Sequence, residues 1–315
     1  MKAQTLSQQT LFPIFLVGCP RSGTTLLQQI LDAHPDIAVA PETHFVRRFW
    51  LEQAQYGDLL KDENYRAVIR AIAQTAEFSE MGLSAEHYEL EAWRKPRNYA
   101  TLLTLLLEQF RQKHGVCIVG EKTPNHLLYM QILQTLFPQA KFIHIIRDAR
   151  AVVNSWRTVP WSTGNVTGDA KVWQRYMDTA RRLPPAEGSM MTLHYENLVM
   201  TPKDCAQKIC NFLSIEFDAS MLNYHTKKSD RVNLEREPWK RNATKPLDAQ
   251  SLTKWEKQLS VNEIARVEVV AKSELLQLGY TLRASRWQSV IAKAQIRIDA
   301  VINQTKHSIK TSVQQ

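Results

Sequence analysis

Hydrophobic positions in the first two thirds of the chain fall into short unbroken runs separated by stretches of helical spacing. Ile14–Val17, Ile37–Ala40, Val116–Gly120, Lys141–Ile146 and Met190–His194 read as five strands. Lys141–Ile146 lacks alternation between apolar and polar positions, the pattern of a strand covered on both faces. Between the runs, apolar residues recur at helical spacing. Leu26, Leu27, Ile30 and Leu31 follow the first run and Leu127–Phe137 the third. Ala151–Trp156 follows the fourth, and Pro202–Phe212, with Thr201 as its expected N-cap, the fifth. Strands alternating with helices predict an α/β fold, a parallel sheet flanked by helices.

The rest of the chain is read more coarsely. Residues 46–113 are rich in Leu, Ala, Glu, Gln and Arg and predict a helical insertion over the C-terminal edge of the sheet, with Leu102–Leu107 in its core. Residues 223–247 are charged and aperiodic and predict a long loop. Ser251–Tyr280 returns to helix. Residues 286–315 predict a basic amphipathic helix with Trp287, Ile291, Ala294, Ile298, Val301, Ile302 and Ile309 on one face, a packing or homodimer element. The expected organisation is one domain over 1–285, carrying the 46–113 insertion, followed by the 286–315 helix.

Charge and cysteine content narrow the setting. A formal net charge of +9 suits an anionic partner such as a nucleotide or an acidic substrate. Cys19, Cys117, Cys205 and Cys210 are too scattered for a disulfide framework and form no metal-type cluster. Cys117, inside an apolar run, is expected to be a buried free thiol. With no signal-peptide pattern and no run near the ~18 apolar residues of a membrane span, the expectation is a soluble cytoplasmic protein.

The reactive residue types cluster where the predicted strands end, the edge at which open α/β sheets bind ligands. After the first strand, Gly18, four residues, Gly23, Thr24 and Thr25 have the spacing of a phosphate-binding loop leading into a helix. ATP-binding loops carry Lys where this chain has Thr24, and here a cation, Arg21, sits earlier. The second strand delivers Glu42 and His44, and the third delivers Glu121, Lys122 and His126. After the fourth come Arg147 and, eight residues on, Ser155, a guanidinium and a hydroxyl suited to a second phosphate. Two anion sites imply a nucleotide with a 5′ group in the loop and another phosphate on its ribose. A structural ion pair between Arg147 and Asp148 or Glu121 is the competing reading.

Pro20–Leu26 resembles the 5′-phosphosulfate loop of sulfotransferases that use 3′-phosphoadenylyl sulfate (PAPS), and Arg147–Ser155 resembles their 3′-phosphate motif. Glu42 with Thr43, His44 and Phe45 is similar to the catalytic Glu segment of tyrosylprotein and heparan-type members, and Glu121–Pro124 to the heparan-type Lys motif. Tyr195–Val199, Lys245–Pro246 and Trp255 resemble the segments that cover the nucleotide. The resemblance spans roughly residues 12–282 and implies a P-loop-type sheet. It places Arg21, Ser22, Gly23, Thr24 and Thr25 on the 5′-phosphosulfate and Arg147 and Ser155 on the 3′-phosphate. It puts Tyr195 near the nucleotide and Lys245 over it, and offers Ser229 as a hydroxyl for the leaving group. The tyrosylprotein-like members carry a further Arg where this chain has Val159, with Arg157 nearby.

Sulfuryl transfer needs a base for the acceptor proton and cations for charge on the bridging and sulfonyl oxygens. Cytosolic small-molecule enzymes of the family use a His two residues after their Lys, where this chain has Pro124. The base is therefore expected to be Glu42, with His44 as the fallback and His126 a distant third, read more readily as a buried structural residue; Lys122 and Arg21 supply positive charge. The product would be adenosine 3′,5′-bisphosphate, and no metal is required. The acceptor would be a hydroxyl on a peptide tyrosine, a glycan or a small molecule, with no nucleic-acid partner. The alternatives are a P-loop small-molecule kinase or NTPase and a non-catalytic nucleotide-binding protein.

Overall fold

The computed structural model describes residues 13–226 and 234–313. The chain divides into two compact units, Met1–Ile146 with Thr179–Leu247, and Arg147–Asp178 with Asp248–Gln315. The first unit holds a five-stranded sheet of order β2-β3-β1-β4-β5, with β1 Ile14–Gly18, β2 Ile37–Ala40, β3 Ile118–Lys122, β4 Lys141–Ile146 and β5 Met190–His194. Every pairing is parallel. β1 lies centrally and is buried along its whole length, which explains its unbroken apolar run.

Helix α1, Thr24–Asp32, follows β1 and buries Leu26, Leu27, Ile30 and Leu31. The insertion is helical, and its longest element is Tyr99–His114. Asn98 accepts from the Thr101 N–H to start that helix, and Gly115 ends it in the left-handed region at φ 63°. Leu102, Leu103, Leu106 and Leu107 are buried in its core face.

Three expectations are corrected. β3 starts at Ile118, not Val116, because the Ile118 N–H pairs with the Asp36 carbonyl and the ladder then runs on through Glu121 and Lys122. Glu121 and Lys122 are therefore held inside a strand. The same shift leaves Cys117 ahead of the sheet and exposed, not buried. Thr201 does not cap Pro202–Leu213 with its side chain; its hydroxyl donates to the Asn197 carbonyl, and Pro202 starts the helix.

In the second unit the helices Ala149–Trp156, Lys254–Gln258, Val261–Gln277 and Arg286–Val313 are the main elements. The stretch read as one helix from Ser251 breaks at Ser260, which forms a capping box with Glu263 and restarts the chain as Val261–Gln277. Ala151, Trp255 and Leu259 form a core cluster. Asp148 caps the Ala149 helix through the Arg150 N–H and pairs with the Arg150 guanidinium at 2.6 Å. Arg150 also binds Glu268 at 2.6 Å and lies over the Trp255 ring. Arg286–Val313 packs on Val261–Gln277 with Ala292 buried, while Trp287, Ile291, Ile298 and Val301 are exposed. No helix among the described residues is long and apolar enough to cross a membrane.

Glu268 accepts from Arg150 and from the Arg283 and Ala284 N–H groups, each at 2.8 Å for the two amides. Glu268→Ala strips three donors of one buried acceptor, and removing one partner of such a pair costs about 3–5 kcal/mol. The expected result is a clear fall in the urea midpoint; an unchanged midpoint would contradict the role assigned to this network.

Candidate active site

The site in the first unit begins where β1 gives way to α1. A Cβ at Gly18 would meet the Ile145 carbonyl oxygen at 2.6 Å, so the strand can end this close to β4 only as glycine. The loop folds on itself through the Ser22 N–H to the Cys19 carbonyl. Arg21 (φ 75°) and Gly23 (φ 105°) lie in the left-handed region, an unusual conformation for arginine. Gly23 is the N-cap of α1, and no side chain caps the helix. Ser22 is fully buried, with no hydrogen-bond partner for its Oγ. Uncapped first-turn amides, a buried hydroxyl and the positive end of α1 together make a cradle for an anion. Tyr195, after β5, closes one side, since a side chain at Gly23 would run into its ring.

Glu42 stands two residues past β2, and its Oε1 accepts from Lys122 Nζ at 2.5 Å and from Lys240 Nζ at 2.9 Å. Lys122 ends β3 and is 1% exposed. Lys240 is 7% exposed and lies in a short 3₁₀ helix, Pro238–Thr244, where Glu237 holds its other side at 2.5 Å. Burial alone would raise the Glu42 pKa, but the two ammoniums outweigh it and hold the carboxyl well below its usual range. The two lysines respond in opposite directions. Burial pulls Lys122 down to about 8 despite Glu42, with Lys240 adding repulsion. Lys240 is buried too, but it has two carboxylates, and Glu42 and Glu237 hold it above its ordinary value.

His44 Nε2 lies 3.7 Å from Glu42 Oε2, on a backbone with φ 52°. Burial lowers the His44 pKa against the pull of Glu42. Between these two residues, Thr43 donates to Glu121 Oε1 through its N–H at 3.0 Å and its hydroxyl at 2.9 Å. The Thr123 hydroxyl donates to the same oxygen, and His126 Nδ1 binds Oε2 at 3.0 Å. His126 is therefore a buried structural group, as expected.

Arg21, Ser22, Gly23, Thr24, Thr25, Glu42, His44, Lys122 and Tyr195 thus all belong to the first unit. Arg21 donates to the Trp239 carbonyl at 2.7 Å, which ties the loop to the segment bearing Lys240. Lys245 is exposed, and its carbonyl accepts from the Tyr224 hydroxyl. Arg147 and Ser155 belong to the second unit, where Arg147 donates to the Ser251 carbonyl at 3.2 Å and Ser155 is half-buried on Ala149–Trp156. Arg157 is exposed there and donates to the Gln258 carbonyl. Ser229 lies outside the described residues.

Lys240 and Glu237 escaped the sequence reading. Their segment offers Arg236, Lys240, Arg241 and Lys245 without periodicity, and Glu42 is 198 positions from Lys240. The local signal was the Glu237–Lys240 spacing of three, which brings opposite charges together on a helical turn.

The family model described as "Sulfotransferase family" matches residues 13–219. A zebrafish (Danio rerio) protein named protein-tyrosine sulfotransferase 1 is 27% identical over 281 residues, covering 86% of this chain and 73% of that protein. The human protein of the same name is 28% identical over 277 residues, 85% of this chain and 69% of that one. Among solved structures, the sulfotransferase domain of the Synechococcus PCC 7002 olefin synthase shares the fold, with a TM-score of 0.57 and 24% identity over 84% of this chain and 96% of that one. The P-loop-type sheet, the uncapped α1 cradle and the match over 13–219 agree: the chain belongs to the sulfotransferase family and is an enzyme of sulfuryl transfer.

Proposed function

We propose that this enzyme takes its sulfuryl group from PAPS and delivers it to the hydroxyl of a peptide tyrosine, with Glu42 as the base. The observation that carries the reading is the Glu42 carboxylate held between two buried ammoniums in the unit that bears the α1 cradle. The peptide acceptor is supported by relatives named as protein-tyrosine sulfotransferases along most of the chain. Four cysteines in no disulfide support a reducing, cytoplasmic setting.

The residues present fit the donor. The partnerless Ser22 Oγ and the uncapped amides of α1 suit its 5′-phosphosulfate, with Thr24 and Thr25 adding hydroxyls. Arg147 and Ser155 would take the 3′-phosphate, Tyr195 would pack near the nucleotide, Lys245 would close over it and Ser229 would offer a hydroxyl to the leaving group. When bound, the donor supplies a sulfuryl group on a phosphate leaving group. Glu42, kept ionised by its lysines, takes the proton of the acceptor hydroxyl. Lys122 and Arg21 would supply positive charge to the leaving and sulfonyl oxygens as these gain negative charge. His44, beside Glu42 Oε2, orients the carboxylate or shares its proton.

Incubation with ³⁵S-labelled PAPS should label tyrosine-containing peptides in preference to glycans and small phenols; the reverse preference would overturn the peptide acceptor. Glu42→Gln should lower kcat by ~10²–10⁴-fold while adenosine 3′,5′-bisphosphate still binds, as judged by calorimetry. Undiminished turnover would remove Glu42 as the base.

Lys122 works only while protonated. As pH rises through about 8, the pKa to which burial brings it, kcat/KM should fall. Lys122→Arg, which stays charged, should lose this alkaline limb. A limb that persists unchanged in the Arg variant would assign it to another group.

A further inference from the structure

Glu42 has more positive charge around it than a base needs. Lys122 and Lys240 both approach the same oxygen, Oε1, and His44 faces Oε2. If Lys122 alone neutralised Glu42, it could turn toward a sulfonyl or bridging oxygen only by leaving a half-buried carboxylate without a lysine counter-ion, an unfavourable state. A second ammonium on the same oxygen removes that obstacle. Its carrier is tied down independently of Glu42. Glu237 holds Lys240 at 2.5 Å, and the neighbouring Trp239 carbonyl takes the Arg21 guanidinium. Arg236, one residue before Glu237, pairs with Glu77 and Glu80 of the insertion.

We propose that Lys240 is a positioning residue for sulfuryl transfer: it holds Glu42 ionised and oriented through Oε1, and so frees Lys122 to act on the transferring group. The proposal rests on the reading of Glu42 as base and Lys122 as electrophilic cation. The charged groups around the pair are Lys122, Lys240 and His44 at Glu42, Glu237 behind Lys240, and Arg48, Glu121 and His126 around His44. Lys240 lowers the proton affinity of both Glu42 and Lys122. Removing its charge must therefore raise both titration midpoints, a signature that a merely structural lysine would not give.

The test uses Lys240→Met, Lys240→Arg and Glu237→Gln in the full chain. In donor-free protein carrying ¹³C-labelled glutamate and lysine, Glu42→Gln and Lys122→Arg assign the two resonances. Lys240→Met should raise the Glu42 midpoint by about 1–3 pH units and move the Lys122 midpoint above about 8. Its kcat should fall at least tenfold, with KM for PAPS changing less. Lys240→Arg should restore kcat and the Glu42 midpoint. Glu237→Gln, which takes away an attraction felt by Lys122, should move the Lys122 midpoint the other way, and it gives an answer even if Lys240→Met does not fold. Midpoints unmoved in both Lys240→Met and Glu237→Gln, or wild-type kcat in a folded Lys240→Met, would overturn the proposal. Full turnover by Glu42→Gln would instead remove the base reading on which it rests. Loss in Glu42→Gln with wild-type kcat in Lys240→Met would sink the Lys240 role alone.

Discussion

The geometry of the reactive groups depends on one buried carboxylate that touches none of the chemistry. Glu121 sits in β3 opposite Phe15 of β1 and Ala40 of β2, so the sheet fixes its position from both sides. Its oxygens gather Thr43, Thr123 and His126. Thr43 follows Glu42, and Thr123 follows Lys122. Two segments that leave different strands are thus fastened to one side chain, and the separation of Glu42 from Lys122 is set by that fastening. Burial would raise the Glu121 pKa, yet His126 and the surrounding donors hold it down, so it remains an anion able to accept all of these bonds. A buried network of this kind, satisfied at both Glu121 oxygens, specifies one arrangement where loops alone would allow many.

Above that foundation the reacting groups stand in a deliberate imbalance. Lys122 has given up its water for a single carboxylate that it must share, and its proton is held less firmly than a surface lysine holds one. Lys240 is desolvated as well, but its two carboxylates more than offset that and hold its proton firmly. The cation closest to release is the one rooted in the sheet, and the cation that stays with Glu42 comes from the 3₁₀ segment. One carboxylate oxygen is thus shared by a buried lysine rooted in the sheet and a buried lysine on a local 3₁₀ turn, where an unpaired ammonium would be expensive.

Most of this was legible in the chain because strand ends are legible. Unbroken apolar runs marked β1, β2, β4 and β5, and the residues expected to be reactive lie at or just beyond strand ends. β3 was placed too early because Val116 and Cys117 are as apolar as the strand itself; the pairing of Ile118 with Asp36, a tertiary fact, decides where the ladder begins. Thr201 stands at the N-cap position that its residue type suggests, but its hydroxyl donates to the Asn197 carbonyl and makes no capping bond to the helix. Lys240 was hidden for a different reason. Its meaning lies in a partner distant in sequence, and aperiodic charged segments carry no pattern from which such a partner can be read. Glu42 could be found because it lies just past β2, and Lys122 because it lies at the end of an apolar run that forms β3; Lys240 adjoins no strand.

Gly23 carries a consequence beyond the anion cradle. Its backbone has a conformation that other residues resist, and the space a side chain would need is filled by the Tyr195 ring. A change at position 23 is therefore blocked twice, and shrinking Tyr195 lifts only one of the blocks. The loop after β1 can therefore gain bulk at position 23 only if the backbone preference and the ring change together, so its width is set in part by a residue more than 170 positions further along the chain.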